Sequence, residues 1–416
     1  MAAIRCFLAI FMLSLLAGGA ARADNYGNVH MGVHIGSPET LQWDDVGVGW
    51  WRMWDTRDIW PFIETSKDHY EWAQMDRRVA WAQAHGLRIM YTLGMTPPWA
   101  STNPKQNPGL PGNATPPADV KVWGDFVEAV ARRYKGRISY YEIWNETDHP
   151  GFWSGTSDQY VAVLKEAAQR LRAVDPSIKI VAPCFLGVRG TGFLHDVLAK
   201  APESIDIISF HGYVQGSDHW YPPERGTRRL DLMRQTMRDL GVDRPLWDTE
   251  VGYPPDDMAY QATRGTPTGS PRERMAAYLV RTFVVNYSQG VDNVFWYNWQ
   301  APKMGDLRDD PVTNQPSAPR HAMKVLANLT NSCHWANRMP LSDDDAWVVP
   351  CQSREGTIYV MWTTSVRPVR VSLPGSWTLY DLDGKSTERQ NGQVDLLGQP
   401  IYGKFLGTPQ IQVISK

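Results

Sequence analysis

Eight short runs that read as β-strands follow one another along most of the chain, at residues 29–35, 49–54, 87–93, 138–144, 178–184, 205–210, 245–249 and 293–297. Helix-like segments lie between most of them. Strands that alternate with helices form parallel sheets, and eight such units are the number that closes a (β/α)8 TIM barrel. Of the helices, residues 270–289 are the clearest: Ser270-Pro271-Arg272-Glu273 combines an N-cap, a first-turn proline and a capping box, and Gly290 stops the run. Residues 157–174 place Tyr160, Leu164, Ala167, Ala168 and Leu171 at helical spacing before Asp175-Pro176 ends them. Between the first two strands no helical period is visible, so a loop is expected there. The polar, Pro- and Gly-rich residues 101–117 read as a long loop after the third strand.

After Pro316 a last helix through residue 329 gives way to short alternating runs, such as 357–362 and 369–373, separated by Gly, Pro and Asp turns. The expected organisation is therefore a barrel over residues 24–329 and a C-terminal all-β sandwich over 330–416. Residues 1–23 carry Arg5, an apolar run and the small-residue site Ala21-Arg22-Ala23, the pattern of a cleaved secretory signal peptide that is too short to span a bilayer. No other run is long and apolar enough for a transmembrane segment. The mature protein is expected to be soluble and secreted or periplasmic. In that compartment Cys333 and Cys351, close in sequence, are expected to form a disulfide, while Cys184 lies in a strand-like run and reads as a buried free thiol.

Barrel active sites sit at the C-terminal ends of the strands, so the residues just after each run should converge. Those residues are Arg52 and Trp54-Asp55 on the second run, Pro97-Pro98-Trp99 on the third and Asn145-Glu146 on the fourth. The sixth contributes His211 and Tyr213, the seventh Glu250, and the eighth Trp296, Asn298 and Trp299. Two of the segments, Tyr141 to Glu146 and Leu246 to Glu250, run through apolar residues into a terminal glutamate. Two carboxylates on one barrel face suit glycosidic cleavage, which needs one acid for the leaving oxygen and one carboxylate for the anomeric carbon. Arg52 is placed to keep a neighbouring carboxylate ionised. The 19 Trp and 17 Tyr supply faces that stack on sugar rings, although most pack the core.

An apolar strand ending in Trp144-Asn145-Glu146, with Glu250 ending a later one, resembles the clan A retaining glycoside hydrolases, and within that clan the chain looks most like glycoside hydrolase family 39, including its exopolysaccharide-degrading members. The resemblance covers most of residues 29–325. It implies that Glu146 is the acid/base, that Glu250 is the nucleophile and that Asn145 contacts the sugar 2-hydroxyl. It also implies that Arg52 serves the nucleophile and that His211 and Tyr213 surround it. Where the family often has a proline after the acid/base, this chain has Thr147-Asp148-His149, which alters the loop bordering the cleft.

Several residues have blander alternatives. Glu142, four positions before Glu146 on the same strand face, reads as a buried structural carboxylate, and Asp248 as a hydrogen-bond partner on the same side as Glu250. His211 stands equally as a site residue or a core histidine. Trp296 is the expected platform under the sugar and Asn298 a further substrate contact, while Trp99, Trp153 and Trp220 lie in loops and stand equally as stacking subsites or as ordinary loop packing.

Other chemistries find little support. The formal charge of -2 offers no basic footprint for nucleic acid or an anionic membrane. There is no His-Glu-x-x-His helix for a metal, no Gly-x-Ser-x-Gly elbow and no phosphate loop, so neither metal nor organic cofactor is expected. Asn145-Glu146-Thr147 fits the glycosylation pattern but lies in the expected site. The reading is a monomeric retaining glycoside hydrolase acting on a polysaccharide or oligosaccharide, with endo action on a microbial exopolysaccharide preferred. The alternatives are an exo-acting enzyme such as a β-xylosidase, a transglycosylase, and a non-catalytic polysaccharide-binding protein on a hydrolase barrel.

Overall fold

The computed structural model describes residues 27–106, 112–186, 191–216, 220–254, 266–309 and 317–415. The leader expected over residues 1–23 lies outside them. Eight parallel strands close a barrel: β1 (Asn28–His34), β2 (Val48–Met53), β3 (Arg88–Leu93), β4 (Tyr140–Ile143), β5 (Lys179–Phe185), β6 (Ile207–His211), β7 (Leu246–Val251) and β8 (Asn293–Trp296). Each pairs with the next, and β8 returns to β1. Around them lie α1 (Ala73–Ala84), α2 (Val120–Arg133), α3 (Ser157–Val174), α4 (Thr191–Lys200), α5 (Thr227–Asp239), α6 (Pro271–Ser288) and α7 (Ala318–Leu329). The β1–β2 connection holds only a single 3-10 turn, as the missing period implied.

The barrel is filled in layers. At its N-terminal end Trp50, Met90, Val181, Ile207, Trp247 and Phe295 form a closed apolar plug, with Tyr140 stacked on Trp247 at 5.4 Å. Gly32 of β1 faces this plug, and a Cβ there would lie 2.3 Å from the Phe295 ring, so only glycine leaves room. Side chains on a strand return to the same face every second residue. Two positions beyond the plug are Arg52, Thr92, Glu142, Ser209, Thr249 and Tyr297, with His34 two beyond Gly32. A greasy floor thus carries a polar layer one pleat above it.

Helix α6 begins at the expected capping box, in which Ser270 Oγ accepts from the Glu273 N–H and the Glu273 carboxylate accepts from the Ser270 N–H. From Met275 onward it is buried nearly all round. One face meets the barrel and another the C-terminal domain. There the Arg281 guanidinium pairs with Glu224 at 2.7 Å and donates to Gly398 O, while Trp362 Nε1 donates to Glu224. This shared carboxylate ties the two domains together.

The C-terminal domain contains β9 (His334–Trp335), β10 (Ala346–Ser353), β11 (Gly356–Thr363), β12 (Val369–Tyr380), β13 (Ser386–Leu396), β14 (Ile401–Phe405) and β15 (Gln412–Ser415), all antiparallel. A register shift between Leu373 and Ser376 bends β12, so that its first half pairs with β15 and its last residues with β14. The two leaves enclose a separate core of Val348, Tyr359, Met361, Val371, Leu373 and Trp377, completing the all-β sandwich. Cys333 and Cys351 are bonded, with Cα atoms 5.4 Å apart, and join the segment after α7 to β10. Opening this loop, whose ends are 18 residues apart, should cost about 3 kcal/mol of chain-entropy stabilisation. Denaturant unfolding of the Cys333→Ala/Cys351→Ala protein is the measurement, and a loss under about 1 kcal/mol would contradict the estimate.

Candidate active site

The site begins with Arg52, which enters the barrel from β2 with no exposure at all. A buried guanidinium needs several acceptors, and four surround it. Nε donates to Glu142 Oε2 at 2.8 Å, Nη1 to Glu250 Oε2 at 2.8 Å, and Nη2 to Asn145 Oδ1 at 2.8 Å and Cys184 Sγ at 3.7 Å. One cation therefore ties together the ends of β4, β5 and β7. Burial opposes the charge on Glu142, yet Arg52, His211 and hydrogen bonds from Thr249 and Arg52 outweigh it and hold the carboxyl below its usual range. Thr92 adds a donor to Glu142 at 2.9 Å. As its sequence position implied, Glu142 is structural.

Asn145 and Glu146 both face inward although they are consecutive. The backbone explains this: Trp144 and Glu146 adopt left-handed φ values of 73° and 42°, so the strand's alternation ends in a turn. Trp144 goes outward into the core with its indole N–H on Phe152 O, while Asn145 reaches Arg52 and Glu146 reaches His211. Glu146 accepts no donor from Arg52. Burial lifts its carboxyl to about 7, against weaker opposing effects of His149 and Arg52.

Glu250 has the opposite surroundings. Its Oε2 takes Arg52 and its Oε1 takes the Tyr213 hydroxyl at 2.8 Å. Between the two glutamates lies His211, fully buried, with Nδ1 2.9 Å from Glu146 Oε1 and Nε2 3.9 Å from Glu250 Oε2. Burial, helped by Arg52 and His34, pushes the imidazole down to about 4 despite Glu250 and Glu142, so it is neutral at pH 7. A carboxylate oxygen of Glu146 and one of Glu250 lie within 4.8 Å of each other and of a ring nitrogen of His211. A double displacement needs its two carboxyl groups about 5 to 5.5 Å apart, and an approach of the oxygens this close is compatible with that spacing. Three such groups could also hold a cation.

The structure corrects four assignments. Trp296 is fully buried, its ring against Phe283 of α6 and its N–H on Gly305 O at 2.7 Å. Phe295 points into the plug, so alternation sends Trp296 outward and Tyr297 inward, where Tyr297 is partly exposed, meets His34 edge-on and hydrogen-bonds Asp55. Counting pleats from Phe295 would have found it. Asn298 is buried and uses its side-chain oxygen to cap the Gln300 N–H at 2.7 Å, a turn contact and not a cleft one. Trp99 is half-buried against Trp60 and donates to Glu64 O, without a contact to either glutamate among the described residues.

Asp248 does not share Glu250's face. It accepts from Asn286 of α6 and from the Gly212 N–H, and burial raises its pKa far above the usual value. Register shifts on both neighbours of β7, between Phe210 and His211 and between Val294 and Trp296, mark the irregularity that brings Glu250 in instead. Trp153 and Trp220 are buried packing residues. A partly exposed tryptophan beside the centre is Trp54, whose ring lies 5.9 Å from the Arg52 guanidinium carbon and meets Phe152 at 6.2 Å. His34, bonded to Asp55 at 2.9 Å and to Thr249 O, completes the polar layer. Arg52, Asn145, His211 and Tyr213 are thus brought onto the glutamates, while Trp296, Asn298 and Trp99 are not.

The model of Glycosyl hydrolases family 39 matches residues 50–297, more than half of the chain. Among curated relatives, a beta-xylosidase of Caldicellulosiruptor saccharolyticus is 29% identical over 213 residues, 48% of this chain and 42% of that protein. A beta-xylosidase of Geobacillus stearothermophilus is 27% identical over 177 residues, 40% of this chain and 35% of that protein. The chain thus spans less than half the length of these relatives. A solved family 39 glycoside hydrolase from Bacteroides cellulosilyticus WH2 superposes with a TM-score of 0.67 at 19% identity, over 92% of this chain and 81% of that one. A monomeric beta-xylosidase from Caulobacter crescentus gives 0.63 at 16% identity, over 91% and 96%.

Proposed function

Because the chain belongs to glycosyl hydrolases family 39, we propose that it is a retaining glycoside hydrolase in which Glu250 is the nucleophile and Glu146 the acid/base. The observation that carries this reading is the contrast between two adjacent carboxyls. Glu250 is locked between Arg52 and Tyr213, whereas Glu146 is lifted to about 7 by burial. Environments that separate two carboxyls in this way assign the roles. Glu250 attacks the anomeric carbon while Glu146 gives its proton to the departing oxygen. Glu146 then takes a proton from the water that cleaves the glycosyl-enzyme ester. Asn145, oriented by Arg52, is left with its amide N–H groups for the sugar 2-hydroxyl.

The substrate is a polysaccharide or oligosaccharide, and the enzyme works as an exported monomer without metal or organic cofactor. A surface depression lined by Thr147, Asp148, Pro150, Trp153 and Phe193 takes in the two residues that follow Glu146 in sequence. Such an open depression bordering the acid/base segment can take further sugar units, which supports endo action on a polymer, with a microbial exopolysaccharide as the preferred class. The beta-xylosidase relatives support a second reading, terminal release of xylose from β-xylosides. Proton NMR of the first product should show the substrate's anomeric configuration. Incubation with xylo-oligosaccharides and with exopolysaccharides, sized by mass spectrometry, separates terminal from internal cleavage. An inverted first product would sink the double displacement.

A further inference from the structure

Cys184 is the free cysteine among the described residues, and it is fully buried. The sequence offered it only a packing role. In the structure its sulfur lies 3.1 Å from His211 Nε2 and 3.7 Å from Arg52 Nη2, and its backbone, in the left-handed region at φ 49°, donates its N–H to Ser209 Oγ and accepts at its carbonyl from the Thr147 hydroxyl. The sulfur therefore touches both the arginine that serves Glu250 and the histidine that touches Glu146.

We propose that Cys184 is a positioning residue for the acid: its S–H donates to His211 Nε2, which holds the ring as the Nδ1–H tautomer and keeps the acidic proton of Glu146 on the oxygen that the imidazole does not occupy. This rests on Glu146 being the acid/base. The direction of the chain follows from donor counting. Arg52 has only hydrogens to offer, so the sulfur is an acceptor toward it. A second N–H on the same sulfur, from Nε2, would leave the thiol hydrogen without one of its two neighbours as acceptor. With the S–H directed to Nε2 every group is used once: Arg52 N–H to Sγ, S–H to Nε2, Nδ1–H to Glu146 Oε1.

The tautomer matters because a neutral imidazole donates through one nitrogen and accepts through the other. With Nδ1–H, Oε1 of Glu146 accepts, and the carboxyl proton must sit on Oε2. With Nε2–H, a bare Nδ1 would draw that proton onto Oε1 and hold it against the ring. Without the thiol, the carboxylate oxygen that an Nε2–H can turn to is Glu250 Oε2 at 3.9 Å, so the unproductive tautomer becomes the favoured one.

The test is Cys184→Ala and Cys184→Ser, assayed on a xylo-oligosaccharide and on dinitrophenyl β-xyloside, with ¹⁵N NMR of histidine-labelled protein. Cys184→Ala should lower kcat on the unactivated substrate by roughly 10- to 100-fold, part of what a general acid contributes. It should lower release of dinitrophenolate, which leaves without protonation, by no more than about threefold, while Cys184→Ser, which keeps a donor, should restore most of the first activity. NMR should report Nδ1–H in the native protein and Nε2–H in Cys184→Ala. A native His211 protonated on Nε2 overturns the proposal even if the alanine variant does not fold, and so does an equal loss on both substrates. If the native enzyme cleaves neither substrate nor any polymer tried, the hydrolase reading fails while the NMR still decides the hydrogen-bond direction.

Discussion

Glu250→Gln should abolish turnover on every glycoside, by roughly 10⁴-fold or more, with substrate binding retained. The expectation follows from what surrounds that carboxyl. Arg52 and Tyr213 both donate to it, one to each oxygen, so its two oxygens are fixed in direction. A neutral amide of the same shape still fills the space but cannot attack the anomeric carbon, and the next carboxyl, Glu146, is engaged by His211. Because no covalent ester can form, activating the leaving group should not help: a dinitrophenyl glycoside should be as inert as a polymer. Titration calorimetry with an oligosaccharide checks that binding survives. Residual cleavage within about a hundredfold of the native rate would remove Glu250 from the nucleophile's role.

Much of this arrangement is legible in the sequence, and the places where it is not have separate physical causes. Regular strand interiors carry period-two information, so the eight runs, the loop after β1 and the helices at 157–174 and 270–289 correspond to elements of the structure. Strand ends are where periodicity fails. Asn145 and Glu146 come in together through a left-handed turn that no alternation rule anticipates, and the irregularity in β7 puts Glu250 in the cleft while sending Asp248 to Asn286. For Trp296 the information was present but misread: its neighbour Phe295 belongs to the plug, and the same rule that placed Arg52 two residues beyond Trp50 places Tyr297 inside. Cys184 was correctly expected to be free and buried. Its contacts with His211 and Arg52 depend on the distance between β2, β5 and β6 around the barrel, which a single sequence does not contain.

Glu146→Gln and Glu146→Ala should behave differently from the nucleophile variant, because the acid/base acts twice and each act can be bypassed separately. Cleavage of a polymer should fall by roughly 10²- to 10⁴-fold, the usual worth of a positioned general acid. On a dinitrophenyl glycoside the first step should survive, since that leaving group departs without a proton, and the ester on Glu250 should accumulate as a burst detectable by mass. Azide, which needs no general base, should then resolve the ester in the alanine variant and yield a glycosyl azide of the same anomeric configuration as the substrate. The native pH profile ties the role to the environment. Burial lifts the Glu146 carboxyl to about 7, and the acid works only while protonated, so kcat/KM on a polymer should decline as pH rises through about 7. With a dinitrophenyl glycoside under conditions where the first step is measured, that decline should be absent, because the step no longer draws on the proton. An azide product of inverted configuration, or near-native polymer cleavage by either variant, would show that Glu146 is not the acid/base and that the pair of strand-end glutamates does not perform a double displacement.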